Sequence, residues 1–295
     1  MAVSESKEHR TCRHALRDLE ARIRGTQKVH FTDRELRRAK IHVEKVSFEE
    51  DPPTFSPRYF VPYPAHLLPD PDVFSDENVF PDEPDDYAIE FPEYDRESMP
   101  LELRSKIECA RQIGFYLSRY GVNSQLFLED RGQLTTHPTG PWCYRDQVDY
   151  TTMKPLEEFP PRKPTEDEPH WYATTLLYVS DDDCSHMNAS MIYNIDGDER
   201  ILRGELLALI RIMEGRLNVA TLAEHVVIPV LLFSYMAPQH GRILQGFFNG
   251  KKLTVYHSRL YDFRHEKDAP IKLFTSWMLC NITGDTKSLP SQETA

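Results

Sequence analysis

VVIPVLLFSYMAPQHGRILQGFFNGKKLTVYHS, residues 226–258, decides how this chain folds. Its first ten residues, Val226 to Tyr235, are almost continuously β-branched or large and apolar, as in a buried strand. Arg242 to Phe248 and Leu253 to Ser258 read as two more strands. Between them Asn249-Gly250 supplies the positive-φ residues that a tight hairpin requires. Toward the N-terminus the spacing predicts a helix over about Glu199 to Leu217. Strands are predicted over Tyr172–Val179 and Ala189–Ile195, with Asp181-Asp182-Asp183 in the turn between them. Toward the C-terminus a last helix covers about Ile271 to Cys280. Hairpin-linked strands with helices against them make an α+β fold with a mixed or mostly antiparallel sheet.

Three zones precede or enclose this core. Residues 1–47 carry 12 Lys/Arg against 7 Asp/Glu. Cys12, Leu16, Leu19 and Ile23 fall at helical spacing, and Gly25 ends that helix. Thr32 with Glu35 forms a capping box for a second helix, whose apolar stripe would be Leu36, Ala39 and Val43. The reading is a basic helical N-terminal segment. Residues 48–100 form a Pro-rich acidic arm, with 15 acidic residues against Arg58 and Arg96 and 11 of the 22 prolines. Ten aromatics separate it from a plain linker, which would be poor in them. Phe55, Tyr59, Phe60, Tyr63, Phe74, Phe80, Phe91 and Tyr94 are expected to dock on the core. The α+β core then covers 101–286, and 287–295 reads as a disordered tail. Within it Ile107, Ala110, Ile113 and Leu117 mark a helix ended by Gly121, and Leu126–Leu128 a short strand.

The net charge of −12 disfavours nucleic acid and anionic membranes unless charge is segregated locally. A basic N-terminal face left uncovered by the acidic arm would favour RNA. The five cysteines are widely spaced and odd in number, which fits a reduced compartment rather than a disulfide framework. MAVSESKEHR has no apolar signal core, so a cytoplasmic location is expected. The longest apolar run, Val226–Met236, is too short for a membrane span of roughly 18 residues.

The stretches SHMNASMIYNIDGDERILRGELLALIRIMEGRL and HVVIPVLLFSYMAPQHGRILQGFFNGKKLTVYHSRLYDF, followed by GDT, resemble a family of filamentous-fungal proteins with no settled activity. The resemblance covers about residues 170–286. It implies a fungal origin, a shared C-terminal module and, loosely, a place in specialised (secondary) metabolism.

Glu205 is the leading candidate for chemistry. At about 100° per residue it falls on an apolar face, stacked between Ile201 and Leu209, with Arg216 near the same angle. A carboxylate there must be paired or held by a ligand. Arg242 is the candidate partner for a plain buried ion pair. His240 could serve as a general base, and Arg242 could bind a carboxylate or phosphate. Asp181, Asp182 and Asp183 with Cys184 and His186 could hold a divalent metal, although such mixed ligation is chemically untidy and a solvated turn explains it as well. Asn194-Ile195-Asp196-Gly197-Asp198-Glu199 resembles a calcium loop only superficially. Asp196-Gly197 turns the chain, and Asp198 caps the next helix. There is no P-loop, no Gly-x-Gly-x-x-Gly and no nucleophile elbow, so no motif names a cofactor.

Three functions compete. One is an enzyme of specialised metabolism, including a tRNA-dependent peptide-forming enzyme of the cyclodipeptide-synthase type, whose basic zone would meet the tRNA. A second is a non-catalytic module binding a protein or small molecule. A third is a degenerate PD-(D/E)xK nuclease fold. The Glu205 helix and three strands suit that core, but His240-Gly241-Arg242 stands where an aspartate is needed, and Gln245-Gly246-Phe247 where Glu-x-Lys should follow.

Overall fold

The computed structural model describes residues 5–50, 52–75, 89–130, 142–144, 154–159, 168–179 and 184–290. At its centre lie β6 (Met187–Asp196), β7 (Val230–Ala237), β8 (His240–Phe248) and β9 (Leu253–His257). Every residue of β7 is buried, so neither face of the sheet can be left to water. Strand alternation then sends Val230, Leu232 and Met236 into one core and Leu231, Phe233 and Tyr235 into another. The hairpin between β8 and β9 turns at Asn249-Gly250, with Gly250 at φ +84°.

The sheet has nine strands and is mixed but mostly antiparallel. β1 (Ile41–Lys45) forms one edge, parallel to β9. Beyond β6 come β5 (Trp171–Val179) and the outer β3 (Trp142–Tyr144), both antiparallel to their neighbours. β4 (Glu157–Glu158) adds to β5, and β10 (Tyr261–Asp262) to β8. β6 and β7 run parallel, joined by the crossover helix α4 (Arg203–Leu217). Almost all of α4 is buried, because it lies between the sheet and α1 (Lys7–Arg24). Cys12, Leu16, Leu19 and Ile23 of α1 belong to the same core. Both ring nitrogens of buried His9 lie within hydrogen-bond distance of carbonyl oxygens, Leu217 at 2.8 Å and His225 at 2.6 Å, which ties the start of α1 to the end of α4.

The opposite face is covered by α3 (Lys106–Asp130), α5 (Ile271–Met278) and the aromatic arm. Phe48, Phe55, Tyr59, Phe60, Phe74 and Phe91 are buried there. Phe48 meets Trp277 at 4.8 Å, Phe74 meets Tyr120 at 5.6 Å and Phe91 meets Tyr116 at 5.1 Å. Backbone contacts fasten the arm as well. β2 (Phe60–Val61) pairs with β11 (Asn281–Ile282), and buried Gln245 bonds Pro57 O and Tyr59 N. The expected docking therefore holds for these aromatics; Phe80 lies outside the described residues.

Several expected boundaries move. α3 runs through Gly121, and Leu126–Leu128 is helical rather than a strand. Tyr120, Asn123, Ser124 and Leu128 are all buried, and that packed face outweighs the ~1 kcal/mol a mid-helix glycine costs. α2 (Asp33–Arg38) has the expected capping box, but Val43 lies in β1. Lys40, at φ 60°, reverses the chain, and Ile41 and Val43 point inward by strand alternation. α4 starts at Arg203, not Glu199. Asp198 does not cap it; its carboxylate takes the Arg200 N–H and guanidinium. Residues 287–290 are described and held, with Lys287 paired to Glu224 at 3.0 Å; 291–295 lie outside.

If the arm is a structural layer, Phe60→Ala should cost ~3–5 kcal/mol in urea unfolding. Phe115→Ala, at a side chain 63% exposed on α3, should stay within ~0.5 kcal/mol. Equal effects of the two substitutions would contradict the layer.

Candidate functional site

Glu205 and Arg242 meet as the ion-pair reading requires, each with no solvent exposure. The contact is bidentate: Arg242 Nε donates to Oε1 at 2.7 Å and Nη2 to Oε2 at 2.7 Å. Arg242 also donates to the carbonyls of Glu199 (3.1 Å) and Arg200 (2.8 Å). Oε2 of Glu205 accepts the Leu202 N–H at 2.9 Å, doing the capping that the apolar Leu202 side chain cannot. The pair thus joins the start of α4 to β8 and holds the 199–202 turn. Its hydrogen-bonding capacity is directed inward, away from any approaching substrate.

His240 begins β8 beside Gly197 and opposite Asp262. Burial pushes its imidazole below the ordinary value, with Asp262 pulling the other way. Its ring packs so closely on Gly197 that a Cβ there would lie 2.9 Å away. Of the three candidate residues the structure brings Glu205 and Arg242 together, and no hydrogen bond among the described residues links His240 to Glu205. Gln245-Gly246-Phe247 belongs to β8 itself, the same strand as His240, and Gln245 is committed to the arm. The acids of the calcium-like stretch are matched by cations, Asp196 with Lys106 at 2.7 Å and Asp198 with Arg200 at 2.6 Å. Those two pairs, with Lys28 and His30, line a groove of ≈ 660 Å³ beyond the end of β6. Asp181, Asp182 and Asp183 lie outside the described residues. Among the described residues no group of three or more His, Cys, Asp or Glu side chains is placed to hold a metal.

A second buried acid sits between α1 and α4. Glu20 has no exposure and bonds Arg211 at 3.1 Å and Lys154 at 3.0 Å. Burial alone would raise its carboxyl; Lys154 and Arg211 outweigh burial and hold it below the usual range. The network's stabilisation is therefore present above the ordinary glutamate range and lost as pH falls through the lowered value. The sequence carried its signal, because Glu20 lies on the stripe of Leu16, Leu19 and Ile23.

The other cluster of charge is open. Arg22 of α1, Lys40 of the α2–β1 turn and Lys251 of the β8–β9 turn line a groove of ≈ 430 Å³. Its floor includes Ala15, Leu19, Ala39 and Phe248, and its one acid is Asp18. All three cations are exposed, and none has an ion pair among the described residues, unlike Lys106 and Arg200. Asn249 Oδ1 accepts the N–H groups of Lys251 (3.1 Å) and Lys252 (2.9 Å), which fixes the turn that presents them. Periodicity had marked the basic zone, but only the tertiary fold adds Lys251. Compared with known protein families, curated proteins and solved structures, the chain matches none.

Glu205→Gln leaves the buried Arg242 charge uncompensated and should cost ~3–5 kcal/mol in chemical denaturation. Glu205→Leu with Arg242→Met removes both charges and should cost clearly less than either single change. Additive losses would mean that the two side chains do not act as a pair.

Proposed function

We propose that this chain binds the phosphate backbone of RNA through the basic face formed by α1, the α2–β1 turn and the β8–β9 turn. One observation carries the reading. The described aromatics of the acidic arm are buried on the opposite face of the sheet, and none of the arm's described acids lines the groove that holds the three cations. In a chain of net charge −12, a trio of exposed cations in a concave site, with no ion pair among the described residues, is a local reversal of sign. Such a surface attracts phosphates without reading bases.

A membrane surface fits less well. Binding flat in a lipid interface uses protruding apolar side chains beside the cations. Among the described residues the exposed large apolar side chains are Val61, Leu67, Leu101, Phe115, Val122, Phe159 and Leu289, and of these Leu289 lies beside Gly250 in the β8–β9 turn. Among the described residues no helix is long and apolar enough to cross a membrane.

The test is titration of a labelled RNA at several salt concentrations. Three phosphate contacts give a log–log salt slope of about −2 on single strands. Arg22→Glu, Lys40→Glu and Lys251→Glu combined should weaken binding at least tenfold at low salt while the unfolding midpoint stays near that of the parent. Binding that ignores both salt and this triple reversal would refute the proposal.

A further inference from the structure

We propose that the basic groove takes the phosphorylated end of an RNA strand, with the terminal phosphate among Lys40, Lys251 and Arg22. The inference rests on the RNA reading above and narrows it from any stretch of backbone to a chain terminus.

The groove is short and closed at one end. It follows α1 from Ala15 to Arg22, about 10 Å of helix. Beyond Ala15, α1 meets the β8–β9 turn. Cys12 is buried there, and a Cβ on Gly250 would lie 3.3 Å from its Sγ and 3.4 Å from Leu289 Cδ1. Gly250 itself lines the groove, so the groove stops where α1 and the turn touch. A strand entering along α1 ends at this point or leaves the groove. The volume of ≈ 430 Å³ is that of a small-ligand site. It has room for a single nucleotide and not for a run of them.

The charge fits an end as well. Lys251 directly follows Gly250 and so stands at the closed end. Lys40 is brought beside it, because the Leu253 N–H donates to the Lys40 carbonyl at 3.1 Å. Arg22 lines the groove from α1. A phosphate inside a strand carries a single negative charge. A phosphomonoester carries about −1.5 to −2 at pH 7 and presents three acceptor oxygens. Three cations from three separate elements around one short groove suit the second better. The apolar floor of Ala15, Leu19, Ala39 and Phe248 offers a surface to the terminal ribose and base. Asp18, the one acid of the lining, is placed to accept from a ribose hydroxyl, a group that DNA lacks at the 2′ position.

The experiment measures the affinity of the full chain for one internally labelled single-stranded RNA in four forms: with a 5′-phosphate, with a 3′-phosphate, with hydroxyls at both ends, and circular. At least one phosphorylated form is expected to bind tenfold or more tighter than the hydroxyl and circular forms, and the form that gains identifies the end. Lys40→Glu and Lys251→Glu should each abolish that gain. Equal affinity for all four forms, still weakened by salt and by the triple reversal, would overturn this inference and leave the backbone reading standing. Absence of salt-dependent binding to every form would overturn both. A phosphate preference that survives Lys40→Glu and Lys251→Glu would overturn the assignment to this groove.

Discussion

The burial of the central sheet on both faces is the constraint from which the rest of the architecture follows. β7 has no residue exposed to water, and β8 has only its first residue partly so. Two apolar faces of that size need two covers. One is α4 with α1 stacked on it; the other is α3, α5 and the arm. The chain supplies the covers from oppositely charged segments. α1, from the Lys/Arg-rich residues 1–47, packs on one side, and the described aromatics of the Asp/Glu-rich residues 48–100 pack on the other. The sheet therefore acts as a partition between them, and the local sign of charge departs from the chain's total.

Buried charges appear at the seams of this arrangement. Glu205 with Arg242 joins α4 to β8, and Glu20 with Arg211 and Lys154 joins α1 to α4. A buried pair often contributes no more than well-packed apolar residues of the same volume, because desolvation consumes much of the attraction. What such a pair does supply is position. Arg242 holds the carbonyls of Glu199 and Arg200, so it sets the turn from which α4 departs. The oxygens of Glu205 and Glu20 are engaged by these partners.

Much of this was legible from local pattern. Asn249-Gly250 between two apolar runs forms its hairpin, Thr32 with Glu35 forms its capping box, and Glu205 on an apolar arc is paired with Arg242. The arm's aromatics signalled docking because a solvated linker has no use for them. Failures came where distant packing overrode a local rule. Gly121 reads as a helix stop, yet the buried face of α3 carries the helix past it. Val43 fits a helical stripe after Leu36 and Ala39, yet a parallel partner some 200 residues away makes it part of a strand. Asp198 fits an N-cap, but neighbouring Arg200 captures its carboxylate first. Lys251 in the basic groove and Thr283 beside His186 are tertiary placements, for which sequence spacing holds no signal.

The partition of charge by the sheet is tested most directly by hydrogen–deuterium exchange of the full chain with and without a short RNA. Slower exchange should be confined to α1, the turn around Lys40 and the turn around Lys251, while the arm and α3 remain unchanged. Protection on the arm or α3, with none at the three cations, would contradict the account.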